Sequence, residues 1–488
     1  MLVTINNFSF SLSTLTSITG KIVIISFPSR AEPCLAMAAL RVLHEIQISP
    51  SPSLPSQPPQ ALSFLDTMWL QNSRLMKKLF FYDFPHPTSH FIEHNLSIFT
   101  KSLSLTLHQF YPLAGSIRQS YDFEDQFEIS YEEGDCITIT LAEYTGQNFR
   151  NISGHRPKNF KNLCLLVPKP IKSATSCQFP PMSIQITIFP NQGLCIGFVI
   201  NHAVCDGFGT KLFIQSWAAA CRSSKRPTLN DISPPFLDRS VIIDSYGIRK
   251  KIFMEMSQSK EISQEQGTLP VSHPILVYAT FTLRKNHILK LKELVKTKQV
   301  EEGKPSYHLS AFVVTCAYVW RCLVKARGCD GEINQYFGII VDWRLRMRPS
   351  IPSNYFGNCL GGFLTELKAT ELVGNDGFEV AAMEIGKNID GLQGRDVGEL
   401  LEVALNKYAE VAGRQTLTVS GSPKLRSYDV DFGWGRPVKV DIISIIESGS
   451  ISLAESREED GGIEIGLVLS QEEMNQFEMN FANSFLDL

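Results

Sequence analysis

Residues 194–200 (LCIGFVI) carry no charge and run directly into Asn201-His202-Ala203-Val204-Cys205-Asp206-Gly207-Phe208-Gly209. An uninterrupted apolar run bounded by a glycine-rich turn predicts a buried strand with a histidine at its end. A general base belongs in such a place. The unperturbed pKa of histidine lies close to physiological pH, so a neutral imidazole can accept a proton from a hydroxyl while that oxygen attacks an electrophile. His202 and Asp206 also admit a plain reading as a hydrogen-bonded structural pair at a strand end. Gly207 and Gly209 let the backbone approach a ligand closely, although a tight turn alone selects glycine too.

A chain of 488 residues, 43% hydrophobic and 19% charged, is long enough for two or more domains with substantial cores. Its net charge of -3, with no block of Lys or Arg, gives no footprint for nucleic acid or an anionic membrane, so the expected partner is a small molecule. The apolar stretch 309–320 is too short to span a bilayer and reads as a core helix or strand. The 11 cysteines are scattered, with no C-x-x-C pair and no histidines at zinc spacing. That pattern favours reduced thiols in a cytoplasmic setting and gives no reason to expect a metal.

Residues 1–36 are rich in Ser, Thr and Asn, with Lys21, Arg30 and Glu32 as their only charges; they are expected to lie outside the fold, with a second start at Met37. The Pro/Ser-rich residues 49–59 read as a loop. Ile92, Leu96, Phe99, Leu103 and Leu107 have helical spacing, whereas residues 137–141 and 182–189 alternate as strands do. Residues 222–274 turn polar and proline-punctuated, predicting a crossing segment between halves at 37–221 and 275–488. The second half resumes with a strand at 277–283, a helix at 288–300, the apolar stretch 309–323 and a strand at 337–341. The whole is mixed α and β.

Three further segments carry information: Val341-Asp342-Trp343-Arg344-Leu345-Arg346, Tyr355-Phe356-Gly357-Asn358-Cys359, and Asp431-Phe432-Gly433-Trp434-Gly435 followed by Arg436-Pro437. Taken singly they read as solvated arginines at a strand end, a turn after prolines, and a β-turn with packed aromatics. Taken together with His202 they carry a resemblance. HxxxD at His202 to Asp206 and DFGWG at Asp431 to Gly435, in that order and far apart, resemble the two signatures of the plant BAHD acyltransferases. Tyr355 to Cys359 resembles a third motif of the branch that acylates anthocyanin and other phenolic glycosides, often with malonyl-CoA. Supporting matches at residues 110–115, 313–318 and 461–466 extend the resemblance from Met37 to the C-terminus.

The resemblance implies a mixed α+β fold of two chloramphenicol-acetyltransferase-like domains with a substrate channel between them. It implies acyl-CoA as co-substrate and no permanently bound cofactor; nothing in the sequence suggests more than a monomer. His202 would stand midway along the channel as the base. Asp206 would face away from substrate and pair with Arg344, with Gly207 supporting the same turn. The indole N–H of Trp434 would be placed near the channel as an oxyanion donor, or Trp434 would be an interdomain packing aromatic. Asp431 is read either as a second proton acceptor or, with preference, as a cap on its glycine turn. Arg284 and Lys285 are candidates for the phosphates of coenzyme A.

The implied reaction moves an acyl group, malonyl by branch resemblance, to a sugar hydroxyl of a flavonoid or other phenolic glucoside. A hydroxycinnamoyl donor and a catalytically silent binder stay open. No G-x-S-x-G elbow is present, so a serine acyl-enzyme lacks its usual mark. Asn201 stands where peptide-synthetase condensation domains carry another histidine, which argues against condensation chemistry. Residues 424–430 are short for the branch and put the local geometry before Asp431 in question.

Overall fold

The computed structural model describes residues 4–5, 8–9, 14–17, 20–23 and 39–486, the last span without 71–74, 124, 170–177, 224–231, 255–274 and 330. Met37, and most of the expected crossing segment, lie outside the described residues. Ahead of Met37, Thr4–Ile5 pairs with Phe8–Ser9 and Thr14–Ser17 with Gly20–Val23, as two separate two-stranded ladders.

The strands that frame the site are, in chain order, β1 (Leu40–Ile48), β2 (Leu75–Asp83), β3 (Ile137–Tyr144), β4 (Lys158–Asn159), β5 (Met182–Phe189), β6 (Gly193–Asn201) and β7 (Leu276–Leu283). They continue with β8 (Asn334–Asp342), β9 (Leu360–Lys368), β10 (Thr416–Ser420), β11 (Lys439–Ile442), β12 (Ser450–Glu455) and β13 (Ile463–Ser470). The helices that matter are α1 (Leu96–Gln109), α2 (Gly207–Arg222), α3 (Lys285–Glu301) and α4 (Ala311–Ala326).

Two mixed sheets result. A 6-stranded sheet has the order β11-β2-β6-β5-β3-β1, and a 7-stranded sheet the order β4-β7-β13-β12-β10-β8-β9. Each sheet borrows a strand from the other part of the chain: β11 pairs antiparallel with β2, and β4 with β7. No local pattern announces either exchange, since each borrowed strand is a short edge piece.

The central position of β6 explains its composition. It is buried along its whole length, β2 on one side and β5 on the other, so both faces take apolar residues. One face packs on α1 and α2 through Phe99, Leu103, Leu107, Phe213 and Trp217. The expected helical spacing is realised with a π-helical turn at Phe91–Asn95 leading into α1. In the second sheet the apolar stretch becomes α4, whose Val314, Tyr318 and Trp320 lie in the core beside Phe337 and Leu453.

The expected loop at 49–59 is shorter than read. Gln57–Ala61 pairs with Phe127–Tyr131, and its register breaks between Gln57 and Gln60. Pro58 and Pro59 lie in that break, where a missing N–H is tolerated. Residues 424–430 form two tight turns, Pro423–Leu425 and Ser427–Asp429, joined through Arg426 in the left-handed region at φ 50°.

Candidate active site

β6 delivers His202 to the end of the first sheet, and the turn that follows is pinned by side chains. Asn201 Oδ1 accepts from the Ala203 N–H at 3.0 Å. Asp206 then caps α2: its Oδ1 accepts from the Phe208 and Gly209 N–H groups, each at 3.0 Å. Its Oδ2 accepts from Arg344 Nη2 at 2.8 Å and from the Cys359 N–H at 3.1 Å. Burial pushes the Asp206 carboxyl up, while Arg344 and the backbone donors act the other way. Four donors on two oxygens are enough to keep it charged at neutral pH. Arg344 also pairs with Asp342 at 3.0 Å. A Cβ on Gly209 would lie 2.7 Å from the Cys205 Cβ, so the turn has no room for a side chain there.

The His202 ring is held from two directions. Its face stacks on Trp69 at 3.8 Å between centroids and 9° between planes. At its edge Nδ1 lies 3.1 Å from Asn358 Oδ1. The Asn358 amide has its orientation set by its own donors: Nδ2 gives hydrogen bonds to Asp66 Oδ1 at 2.9 Å and to the His202 carbonyl at 2.8 Å. Oδ1 is therefore the acceptor, Nδ1 of neutral His202 carries the proton, and the lone pair resides on Nε2. Behind Asn358, Asp66 accepts the Asn358 N–H at 2.7 Å and pairs with buried Arg239 at 2.7 Å. Sequence reading missed Trp69, Asp66 and Arg239. Asn358 lay inside a segment already singled out, but nothing local indicated its contact with His202.

His202 stands on the wall of a cavity of about 1690 Å³. One side is formed by Met68, Trp69, Lys78, Phe198 and Gly207, the other by Phe312, Ile339, Leu360, Thr418 and Ser420. The wall thus draws on both sheets, and no covalent nucleophile stands out in it. Cys205 and Cys359 lie off that wall, where burial pushes their thiols up to about 12. Among the described residues no group of three or more His, Cys, Asp or Glu could hold a metal ion.

The remaining sequence candidates fall elsewhere. Trp434 does not line the cavity; it packs in the first core against Tyr82, Phe84, Phe91 and Phe99 at 5.7–6.0 Å. Asp431 is also off the cavity wall, and its Oδ1 accepts from Gly433 N–H at 2.7 Å and Gly435 N–H at 2.9 Å. Those glycines take φ of 108° and 84°, and the carboxylate holds their turn. Arg284 is the residue before α3, and the Lys285 N–H donates to Glu459 Oε2 at 3.2 Å. The Lys285 stem passes beside Gly461, which lines the cavity.

A model of the Transferase family matches residues 39–484. The chain is 34% identical over 421 residues to phenolic glucoside malonyltransferase 1 of Nicotiana tabacum, covering 84% of this chain and 91% of that one. It is 33% identical over 456 residues to a malonyl-coenzyme A:anthocyanin 3-O-glucoside-6''-O-malonyltransferase of Dahlia pinnata, covering 90% and 96%. Among solved structures, vinorine synthase superposes with a TM-score of 0.64 at 19% identity, covering 90% of this chain and 96% of that one. TRI101 of F. sporotrichioides, complexed with coenzyme A and T-2, gives 0.64 at 16%, covering 86% and 97%. These two share the fold, the two-domain chloramphenicol-acetyltransferase type.

Proposed function

Since the chain belongs to this transferase family, within its BAHD acyltransferases, it is an acyl-CoA-dependent acyltransferase, and we propose that it transfers malonyl from malonyl-CoA to a sugar hydroxyl of a phenolic glucoside. The observation that carries the mechanism is the bond from His202 Nδ1 to Asn358, which leaves the Nε2 lone pair to act as base. An alcohol is a poor nucleophile at neutral pH. His202 Nε2 takes the hydroxyl proton as the oxygen attacks the thioester carbonyl. The tetrahedral intermediate then collapses, the C–S bond breaks, and the imidazolium returns its proton to the departing thiolate. No acyl-enzyme forms in this scheme.

Asp206, Arg344 and Gly207 support the turn behind His202, and Asn358 fixes its tautomer. Arg284 and Lys285, the latter with its stem beside Gly461, serve the coenzyme A phosphates. In this reading residues 1–36 stand outside the fold, 37–221 and 275–488 are the two acyltransferase domains, and 222–274 joins them. The enzyme works as a monomer in the cytoplasm; among the described residues no helix is long and apolar enough to cross a membrane.

The malonyl donor rests on the names of relatives at 31–36% identity. A hydroxycinnamoyl donor is the second reading, favoured by a 32% identical relative named agmatine coumaroyltransferase. The test is coenzyme A release from malonyl-CoA and coumaroyl-CoA against phenolic glucosides, beside His202→Ala. Acceptor-dependent release with malonyl-CoA, lost in the variant, is the expected result. Release with coumaroyl-CoA alone overturns the donor, and a well-folded protein inert with both overturns the assignment.

A further inference from the structure

Away from His202, the cavity wall contains a lysine and a glutamate that the transfer chemistry does not use. Lys78 projects from β2, with its ammonium 5.2 Å from the Phe80 ring centroid and one N–H bond given to Ser427 Oγ at 2.7 Å. Glu455, at the end of β12, also lines the cavity. Its Oε1 accepts from the Tyr428 N–H at 2.6 Å, whereas its buried Oε2 has no hydrogen-bond partner among the described residues. A buried carboxylate oxygen left unbonded is costly unless something occupies the space before it. Burial pulls Lys78 down to about 8, with Glu455 opposing, and burial pushes the Glu455 carboxyl up, with the Tyr428 N–H and Lys78 acting the other way.

An ammonium with N–H bonds to give, near a carboxylate oxygen able to accept one, suits a group that both accepts and donates. A hydroxyl is such a group. Its distance from the reaction centre follows from the strand register. Asn201, next to His202, pairs with Leu75, and Phe198 pairs with Lys78. From His202 back to the Phe198–Lys78 pair is four residue steps, about 13 Å between backbones before the side chains reach in. In a phenyl glucoside the reacting sugar oxygen is separated from a hydroxyl on the far side of the aglycone by roughly 10 Å, at about 1.5 Å per bond.

We propose that Lys78 and Glu455 form a subsite for a phenolic hydroxyl on the acceptor's aglycone, deepening the phenolic glucoside reading on which it rests. The hydroxyl accepts from Lys78 Nζ and donates to Glu455 Oε2. The pair thus selects hydroxylated aglycones over bare phenyl ones.

The experiment compares 4-hydroxyphenyl and phenyl β-glucosides, and malonyl-CoA and acetyl-CoA, in the wild type, Lys78→Met and Glu455→Gln. The expected result is a wild-type preference in kcat/KM for the hydroxylated acceptor, falling about 10-fold or more in each variant, with the donor preference unchanged. A ratio of two acceptors on one protein is insensitive to the fraction that folds. Collapse of the malonyl-to-acetyl ratio instead assigns Lys78 to the acyl carboxylate and overturns the proposal, as does a wild type or variant pair in which the acceptor ratio does not move. Equilibrium binding of the two glucosides makes the same comparison without turnover. A wild type that discriminates them in binding yet transfers no malonyl would refute the donor reading while sustaining the subsite.

Discussion

Two buried ionic networks lie in this molecule, and they use the same chemistry for different ends. One, behind His202, joins Asp206 to Arg344 and Asp66 to Arg239, and it meets the cavity through Asn358 and the His202 ring. The other is carried largely by the exchanged strands. Lys158 of β4 pairs with Asp441 at 2.9 Å, and Lys439 of β11 pairs with Glu464 of β13 at 2.7 Å. Tyr428 and His155 also reach Glu464, and none of these six residues lines the cavity. The first network orients the His202 ring at the cavity wall; the second fastens two sheets. Buried ion pairs add little net stability over apolar packing, so what they specify is geometry.

The comparison predicts separable defects. His202→Ala should lower kcat by about 10²–10⁴-fold with the melting temperature nearly intact, measured by thiol release and calorimetry. Arg344→Ala and Lys439→Met each strand a buried carboxylate and should cost about 3–5 kcal/mol in denaturant melts. Activity per folded molecule tells them apart: it falls in Arg344→Ala and holds in Lys439→Met. Equal losses in both would merge the two networks into one.

Asn358→Ala should reduce kcat by about 10–100-fold with KM little changed. In the wild type, ¹⁵N chemical shifts of His202 should report the Nδ1–H tautomer, and in the variant a shift toward Nε2–H; an unchanged tautomer would sink the orienting role. The acid side separates the networks again. Burial raises the Glu464 carboxyl, but bonds from His155, Lys439 and Tyr428 outweigh it and hold the group well below its ordinary 4.5. A depressed carboxylate contributes stability above its unfolded pKa and loses it as pH falls through the acid range. Melting temperature should therefore drop below about pH 4.5, and Glu464→Gln should flatten that limb. The smallest effect is Trp434→Phe, about 1 kcal/mol and a few-fold in kcat, measured by melts and steady-state rates. A loss of about 10²–10³-fold would reinstate it as an oxyanion donor.

The two networks also mark where sequence is readable. His202 at a strand end and the long strands β5 and β6 follow from local signals, an apolar run and alternation, whereas α2 and its cap on Asp206 were not read from the glycine-rich turn. The Asp206–Arg344 contact came from family resemblance, because its partners are 138 positions apart. Asn358 to Asp66 spans 292 positions with no periodicity to betray it. Asp431 and Trp434 carry the DFGWG signature, and here one accepts from the N–H groups of its glycine turn while the other packs, partly buried, against the first core. The borrowed strands were invisible because β4 and β11 are too short to show a pattern.

The loan of β11 to the first sheet reaches back to how the chain is made. Emerging from the ribosome, residues 39–223 can assemble β1, β2, β3, β5 and β6, but the edge of β2 stays bare until residues 439–442 arrive. The first sheet is thus finished among the last parts of the chain to be synthesised. An exposed strand edge is a template for wrong partners, so the hazard in producing this protein lies in that interval, and a fragment ending before residue 439 inherits it permanently.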